Sequence, residues 1–411
     1  MQDIVERCDV VVIGAGPAGA IAAKRLYDAG CHVIVLEKQQ FPRFVIGESL
    51  LPQSMVYLER AGLIEVVEKA NFQYKNGANF QFPDGFASID FSEKTADGWD
   101  TTFQVQRQHF DKILADAVEK AGISIHYQCE VIAAHIDPSG CELQIQDHHQ
   151  NTKKIECDFV MDASGYGRVL PRLLNLDQPS DFPSRTAFFT HIHDQLDKKE
   201  FDRNKILISV HEKDANIWSW LIPFSNNVSS IGIVMPTDKS ADNSQSNAEI
   251  LWQGISGMTE LKNLLSDAKE IRSVSKITGY SANVRQLAGE RFALLGNAAE
   301  FLDPVFSSGV TIAMKSADLA VDAYLKQKQE SKIDWTQEYV RPLMVGVDCF
   351  REFVSSWYDG RLQRIIKQSP NTDNDIKRMI TSILAGYAWD QENAFVRRPA
   401  HYINLVAAQC E

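Results

Sequence analysis

The chain has 411 residues, of which 44% are hydrophobic and 23% charged, a composition that excludes a mainly disordered polypeptide. Its formal net charge of −12 disfavours a nucleic-acid partner. Its seven cysteines are scattered without a C-x-x-C pair, which indicates neither a zinc site nor a disulfide framework and fits a reducing compartment. Residues 1–9 are polar and no apolar run approaches the roughly 20 residues of a membrane span. We therefore expect a cytoplasmic protein of two or three lobes without a transmembrane segment.

The first predicted elements are a strand, a glycine-rich loop and a helix. Residues 10–13 form a short apolar run typical of a buried parallel strand, and residues 18–28 are predicted to be helical. Between them stands the loop Gly14-Ala15-Gly16-Pro17-Ala18-Gly19. In such a loop the first glycine permits a tight turn, the second lets the backbone approach a pyrophosphate, and the third lets the helix pack on the sheet. The pyrophosphate is then favoured by the N–H groups and dipole of the helix N-terminus.

The next predicted strand, residues 32–36, ends in an acid. Glu37 follows Gly14 by 23 residues, a spacing typical of a carboxylate that accepts hydrogen bonds from ribose hydroxyls. An acid there disfavours a 2′-phosphate, so NADP is not expected at this site. Strand, loop, helix and acid together predict a dinucleotide site rather than a chance glycine-rich turn, but they do not distinguish FAD from NAD.

Two further candidates lie in the middle of the chain. Arg107 starts an amphipathic stretch that continues over residues 110–121, where it would either bind a phosphate bidentately or be an ordinary solvated charge. Asp162 ends an apolar strand and is followed by Gly165 and Gly167, which suit either a turn beside a cofactor or a surface turn.

The later candidates are a pair of tryptophans and a second strand–turn–helix unit. Trp218 and Trp220 are two residues apart and would face the same side of a strand, as core packing also requires. Gly296 ends a predicted strand at 292–295, and a helix is predicted over 309–319. The small residues before that helix would let a flat ring approach its N–H groups, which could stabilise negative charge on the ring. An ordinary strand–turn–helix is the alternative.

Several of these motifs resemble those of flavin-dependent halogenases. They are Phe41-Pro42-Arg43 with Ile46-Gly47-Glu48-Ser49-Leu50-Leu51-Pro52, Arg107 with Phe110 and Asp111, Asp162-Ala163-Ser164-Gly165, Trp218-Ser219-Trp220-Leu221-Ile222-Pro223, and Gly296-Asn297-Ala298-Ala299 through Asp303-Pro304-Val305-Phe306-Ser307-Ser308-Gly309-Val310. The series is in the same order over roughly residues 8–360. The wider class is the glutathione-reductase-like flavoproteins, which includes para-hydroxybenzoate-hydroxylase-like monooxygenases and geranylgeranyl-reductase-like enzymes.

The resemblance implies FAD as the cofactor. The residues it implies for FAD binding are Gly14, Gly16, Pro17, Ala18, Gly19, Glu37, Lys38, Arg43, Glu48, Ser49, Arg107, Gly165, Gly296, Asn297, Asp303, Pro304, Ser308, Gly309 and Val310. One position departs from the family, which usually has Gly-Asp where this chain has Gly296-Asn297, and the family's Asp bonds the ribityl chain. Asn can still accept through its carbonyl oxygen, so we expect binding to survive without that charge, with Asp303 supplying negative charge nearby.

The resemblance also implies a catalytic lysine. Residues 72–78, Phe-Gln-Tyr-Lys-Asn-Gly-Ala, resemble the segment that carries it, which makes Lys75 the candidate. In the family, reduced FAD and O₂ oxidise halide to hypohalous acid, which travels to this lysine beside the substrate. An amine can hydrogen-bond that acid when charged or capture it when neutral. The alternative is a solvated strand lysine.

The resulting expectation is an α/β protein with a glutathione-reductase-like FAD-binding Rossmann domain, an antiparallel β-sheet substrate domain and a C-terminal helical region. The FAD-binding domain would be discontinuous, over residues 1–73, 101–176 and 285–330. Residues 74–100 and 177–284 would form the substrate-covering sheet, because alternating strands are predicted at 187–193, 205–211, 217–222 and 229–235. Residues 238–246 are predicted to be a polar loop, and residues 331–411 a helical cap over the substrate.

The leading functional hypothesis is a halogenase-like FAD-dependent oxidoreductase. It would use reduced FAD, O₂ and a halide ion on a phenol, pyrrole or indole, either free or bound to a carrier protein. The alternatives are a flavin-dependent aromatic hydroxylase and a geranylgeranyl-reductase-like double-bond reductase, whereas a flavin carrier would not need so large a second domain. Because no second G-x-G-x-x-G unit exists, reduced FAD would come from a separate flavin reductase, or NAD(P)H would bind transiently.

Overall fold

The computed structural model describes residues 5–196, 201–240, 245–368 and 374–410. Its strands are β1 (Val5–Ile13), β2 (Val33–Glu37), β3 (Gln73–Lys75), β4 (Gly77–Phe82), β5 (Gly85–Asp90), β6 (Thr102–Gln104), β7 (Ser124–Tyr127), β8 (Cys129–Asp137), β9 (Gly140–Asp147), β10 (Thr152–Asp162), β11 (Asp177–Gln178), β12 (Arg185–His193), β13 (Lys205–His211), β14 (Asp214–Pro223), β15 (Val228–Pro236), β16 (Lys269–Glu270), β17 (Ser275–Thr278), β18 (Asn283–Val284), β19 (Ala288–Gly289) and β20 (Phe292–Leu294). The helices are α1 (Pro17–Asp28), α2 (Gln53–Arg60), α3 (Ile64–Glu68), α4 (Arg107–Lys120), α5 (Val169–Leu173), α6 (Asn247–Ser256), α7 (Thr259–Leu264), α8 (Ser308–Glu330), α9 (Arg341–Tyr358), α10 (Arg361–Gln368), α11 (Asn374–Leu384), α12 (Ala394–Arg397) and α13 (Pro399–Ala407).

The first sheet has the order β19-β20-β10-β1-β2-β7, with β9 beside β10 and β8 beside β9. Its centre is parallel, since β1 pairs in parallel with both β10 and β2, and β10 with β20. Central strands with helices on their faces are buried on both sides, which explains why residues 10–13 are apolar without alternation. The carboxyl ends of β1, β2, β10 and β20 therefore lie along one edge, and each carries a predicted site motif.

The second sheet has the order β16-β12-β15-β14-β13-β4-β5, with β17 also beside β12. All four strands predicted for the substrate domain are present, and they pair antiparallel through β12-β15-β14-β13. The pairing of β13 with β4 is parallel, so the sheet is not antiparallel throughout. β4 comes from residues 74–100 and joins β13 at the edge of a meander formed much later in the chain.

The C-terminal part of the chain is helical, as predicted. Buried aromatic side chains of α9, including Phe353 and Trp357, join the core that also contains β4 and the turn before α8. Trp357 contacts Phe80, Phe82 and Phe306 at ring-centre distances of 5.8–6.2 Å. The helical region thus packs against β4 of the second sheet and against the turn before α8. The predicted domain boundaries stay a prediction.

Two sequence expectations concern loops and membranes. Of the predicted loop at 238–246, residues 241–244 lie outside the described residues, and Thr237–Ser240 forms a 3₁₀ turn. Within the described ranges, every helix is too short or too polar to span a lipid bilayer.

Candidate active site

The glycine loop between β1 and α1 has the geometry that a bound pyrophosphate requires. Gly14 has φ +98°, and a Cβ there would lie 2.6 Å from the carbonyl oxygen of Ala163. A Cβ on Gly19 would overlap the carbonyl oxygen of Gly14. At Gly16, by contrast, a Cβ would meet nothing closer than 3.6 Å, and no side chain caps the helix that starts at Pro17. The first N–H groups of α1 thus lie beside a space whose nearest atoms belong to the side chains of Arg43 and Asp111.

Glu37 lies beside this loop, at the end of β2. It is 5% exposed, and its Oε2 accepts a hydrogen bond of 2.9 Å from the N–H of Ala15. Its Oε1 accepts from the N–H of Gln39, also at 2.9 Å. The carboxylate is thus held by backbone groups at the edge of the glycine loop, with acceptor capacity left for a ribose.

Arg43 and Arg107 share one buried carboxylate. Asp111 is 1% exposed and accepts from Arg107 Nε at 2.7 Å, Arg107 Nη2 at 2.9 Å and Arg43 Nη1 at 2.9 Å. Arg107 Nη1 also donates to the carbonyl of Ile46 at 3.1 Å. The bidentate interaction expected of Arg107 is therefore made with Asp111, because a carboxylate four residues along the helix presents the same fork geometry as a phosphate.

We expect Asp111→Asn to lower the free energy of unfolding by about 3 kcal/mol, because it removes the carboxylate that pairs with the buried guanidinium of Arg107 and also bonds Arg43. Urea denaturation of the purified protein measures this. Asp116→Asn is the matched control, since Asp116 lies on the same helix in an exposed pair with Lys112 and should cost less than about 0.5 kcal/mol. Equal effects of the two variants would contradict this account of the cluster.

The loop of residues 41–52 carries a second buried pair. Glu48 is 1% exposed, and its carboxylate contacts Nε2 of His191 on β12 at 2.9 and 3.0 Å. This pair forms part of the wall of a cavity of about 690 Å³. The lining residues are Pro42, Phe44, Glu48, Gln106, Gln108, His109, Lys112, His191, Ile271 and Arg272. A space of this size suits a small organic ligand or part of a dinucleotide.

Lys75, at the end of β3, is completely buried. Its Nζ donates to Ser49 Oγ at 2.7 Å and to the carbonyl of Leu50 at 2.8 Å, and it lies 5.3 Å from the centre of the Phe91 ring. Burial lowers the pKa of this amine to about 7. The solvated-lysine alternative is therefore wrong for this structure. At neutral pH the amine is shared between a charged donor form and a neutral nucleophilic form.

The strand-end motif of β10 is tied to the turn that follows β20. Asp162 is buried and accepts from the N–H groups of Ser164 at 2.9 Å and Leu170 at 2.7 Å, and burial raises its pKa. Arg168 donates to the carbonyl of Asn297 at 3.2 Å, so it bridges the two motifs. Sequence reasoning did not identify Arg168, and its left-handed φ of +44° is not visible in the residue type.

The second candidate flavin motif lies where β20 meets α8. Gly296 has φ +53°, and a Cβ there would lie 2.6 Å from the Cβ of Ala313 in α8. A Cβ on Gly309 would lie 3.9 Å from Asn297 Oδ1, so that amide oxygen borders the start of α8. α8 begins at Ser308 without a side-chain cap. Its first N–H groups are therefore available to a ligand, as the sequence predicted.

Asp303 stands at the start of this motif and is 4% exposed. Its Oδ1 accepts from the N–H of Val305 at 3.0 Å, and its Oδ2 accepts from the hydroxyls of Tyr358 at 2.9 Å and Tyr280 at 3.3 Å. Burial raises the pKa of this carboxyl. Its contacts are with protein groups, so its negative charge is partly neutralised by phenol donors.

The structure brings most of the predicted site residues together. The glycine loop meets Arg43, and a Cβ on Gly47 would lie 3.1 Å from Arg107 Nη1 and 3.7 Å from Val310. Lys38 is an exception among these predicted site residues, because its side chain is 65% exposed and forms an ion pair with Glu130. Pro17, Ala18, Pro304 and Gly165 lie at the turns and helix starts where the motifs place them. The individual cofactor-binding roles stay predictions.

The residues present fit FAD. Two uncapped helix starts, at Pro17 and Ser308, lie at the same edge of the parallel sheet, and Gly16 leaves space that a Cβ would fill. Glu37 is held beside the glycine loop at the same edge. Over the described residues, no cluster of three or more His, Cys, Asp or Glu side chains is arranged to hold a metal ion.

Comparison with known proteins places this geometry in a family. The family model described as "FAD binding domain" matches residues 7–324. The 1H-pyrrole-2-carbonyl-(peptidyl-carrier protein) chlorinase of Pseudomonas fluorescens is 30% identical over 380 residues, 85% of this chain and 83% of that protein. A flavoprotein/dehydrogenase from Cytophaga hutchinsonii has a similar crystal structure, with a TM-score of 0.92, 40% identity and coverage of 98% and 99% of the two chains. The flavin-dependent brominase Bmp2 has a TM-score of 0.84, 25% identity and coverage of 97% and 99%.

Proposed function

Because the chain belongs to the halogenase-like branch of the FAD-dependent monooxygenase superfamily, we propose that it is a flavin-dependent halogenase acting on an electron-rich aromatic substrate. When bound, reduced FAD would supply two electrons that take O₂ to the peroxide level, and cleavage of that O–O bond would oxidise a halide ion to hypohalous acid, with the second oxygen leaving as water. The residues for holding it are the glycine loop, Glu37 and the start of α8. Lys75 would hold the oxidised halogen beside the aromatic ring.

The observation that carries this proposal is the environment of Lys75. A wholly buried lysine without a carboxylate partner within 4 Å among the described residues is costly, and such groups are found at functional sites. Its bonds to Ser49 and Leu50 fix the amine against the end of the 41–52 loop. With a pKa of about 7, the amine can donate to hypohalous acid or, when neutral, bind its halogen.

We infer the substrate class from the relatives. The relative from Pseudomonas fluorescens chlorinates a pyrrole-2-carbonyl group on a peptidyl-carrier protein. We infer that this chain also takes a pyrrole-type or phenolic substrate bound to a carrier protein. We infer that a separate flavin reductase supplies the reduced FAD, because the sequence has no second G-x-G-x-x-G unit. The seven free cysteines support a cytoplasmic location.

The proposal is tested with purified protein, reduced FAD, O₂ and either bromide or chloride. The substrate panel contains free phenols, free pyrrole and indole compounds, and a pyrrole-2-carbonyl thioester on a carrier protein. We expect halide-dependent product with the halogen's isotope pattern in the mass spectrum, and a higher yield from the carrier-bound substrate. Oxygenated product formed without halide would instead identify a hydroxylase, and anaerobic reduction of a double bond would identify a reductase.

A further inference from the structure

A buried chain of hydrogen bonds joins three separate parts of the fold. Trp218 on β14 donates from Nε1 to the hydroxyl oxygen of Tyr358 at 2.8 Å. Tyr358, the last residue of α9, donates to Asp303 Oδ2 at 2.9 Å. Asp303 immediately precedes the turn that leads into α8. The chain therefore connects the second sheet, the C-terminal helices and the candidate flavin motif.

The direction of these bonds is fixed by chemistry. An indole N–H can only donate, so the Tyr358 oxygen must accept from Trp218. The single hydroxyl proton of Tyr358 is then directed to the carboxylate of Asp303. Without Trp218, that hydroxyl would be free to rotate away from Asp303. Trp218 is 0% exposed, so solvent does not compete for this bond in the native protein.

Asp303 passes this orientation on to the backbone. Its Oδ1 accepts from the N–H of Val305 at 3.0 Å and thus caps the turn Pro304–Phe306. That turn ends at Ser307, which has φ +56° and is the residue before α8. Arg185 stacks on the Tyr358 ring, 3.3 Å from its centre, and keeps the ring in place beside the carboxylate. The position of the α8 start therefore depends on the Asp303 side chain.

We propose that Tyr358 and Trp218 are positioning residues for FAD, which act through Asp303 to hold the turn at 304–306 and the N–H groups at the start of α8. Trp218 orients the hydroxyl of Tyr358, and Tyr358 in turn holds the carboxylate of Asp303 in position. The inference rests on the proposed FAD site at α8. It gives the first tryptophan of the W-x-W-x-I-P sequence a role that Trp220 does not share, since Trp220 donates to Ser230 Oγ at 3.1 Å.

The test measures FAD binding rather than turnover. Apo-protein is titrated with FAD by flavin fluorescence, and the absorption spectrum of the bound flavin is recorded for each variant. We expect Tyr358→Phe and Trp218→Phe to weaken FAD binding roughly tenfold, because each removes or frees a hydrogen bond to a charged group, and to alter the spectrum. Trp220→Phe removes a comparable ring contact and should leave FAD affinity within about threefold.

Tyr280 and Asp303 provide two further controls. Tyr280 donates to the same oxygen at the longer distance of 3.3 Å and is not oriented by an indole, so Tyr280→Phe should weaken binding less than Tyr358→Phe. In an Asp303→Ala background, Tyr358→Phe should have little additional effect, because the acceptor through which Tyr358 acts is absent. Melting temperatures of the apo-variants report packing losses separately.

Two results would overturn the proposal. One is wild-type FAD affinity and spectrum in Tyr358→Phe, and the other is an undiminished Tyr358→Phe effect in the Asp303→Ala background. Neither measurement needs a halogenated product. A protein that binds FAD with this dependence but makes no such product would refute the proposed function and leave the positioning role in place.

Discussion

Lys75→Met is expected to reduce halogenated product by roughly 1,000-fold or more, the scale on which removal of a reacting side chain lowers turnover. Methionine fills a similar volume but can neither donate to hypohalous acid nor bind its halogen. The measurement is product yield under saturating reduced FAD and halide, with FAD binding checked separately. Unchanged yield would refute the role of Lys75.

The same substitution is expected to stabilise the protein at neutral and acidic pH. The amine has a pKa of about 7 when folded against 10.5 when unfolded, so the unfolded chain binds the proton more tightly. The free energy of unfolding of the wild type therefore rises as pH increases from about 7 to 10.5. Below pH 7 the buried amine lowers this free energy by its full amount, about 5 kcal/mol. Lys75→Met lacks this slope. Loss of the bonds to Ser49 and Leu50 offsets part of the gain.

A second buried lysine provides the matched control. Lys205 is 7% exposed on β13, but its Nζ contacts Asn76 at 2.9 Å and Asp90 at 3.3 Å. Lys205→Met should therefore destabilise the protein and leave the pH slope of stability unchanged. Chemical denaturation between pH 6 and 10 separates the two lysines. A slope that survives in Lys75→Met would show that another group titrates.

The pH dependence of product formation tests which form of the amine reacts. If the neutral amine binds the halogen, the rate should rise about tenfold per pH unit below 7 and level off above it. A rate that falls through pH 7 would indicate that the ammonium acts as a hydrogen-bond donor. Both outcomes depend on Lys75 and are absent in Lys75→Met.

Substitutions in the glycine loop are expected to separate folding from cofactor binding. Gly16→Ala should leave the apo-protein folded, because Gly16 has φ −70° and its Cβ meets nothing closer than 3.6 Å. FAD affinity should nevertheless fall at least roughly 100-fold, since the methyl group occupies the space for the pyrophosphate. Gly19→Ala should instead cost at least about 3 kcal/mol of stability, because its Cβ overlaps the Gly14 carbonyl.

Gly30 is the control for backbone strain alone. It has φ +83°, but a Cβ there would meet nothing within 4 Å. Gly30→Ala should therefore cost only about 1–2 kcal/mol from its left-handed conformation and leave FAD affinity unchanged. FAD titration and thermal melting of the three variants test the scheme. Retention of FAD by Gly16→Ala would show that the pyrophosphate does not approach this loop.

Sequence reasoning located most of the candidate site because its signals are local. A tight turn, a helix start and a strand-end acid each depend on neighbours within a few residues, as at Gly14, Glu37 and Gly296. The predicted strands of the second sheet were confirmed for the same reason. The parallel pairing of β4 with β13 was missed, because nothing local specifies which edge a distant strand joins.

The sequence alone determined that this protein carries a dinucleotide cradle and belongs with FAD-dependent enzymes, since those features reside in contiguous motifs. Only the tertiary structure decided the state of Lys75, because burial and a pKa of about 7 arise from groups that surround it in space. The tertiary structure likewise shows that Glu48 contacts His191, that Arg107 donates to Asp111, and that hydrogen bonds link Trp218 through Tyr358 to Asp303. Such contacts join residues up to 143 positions apart, and their energies depend on desolvation, which a residue's neighbours in sequence do not set.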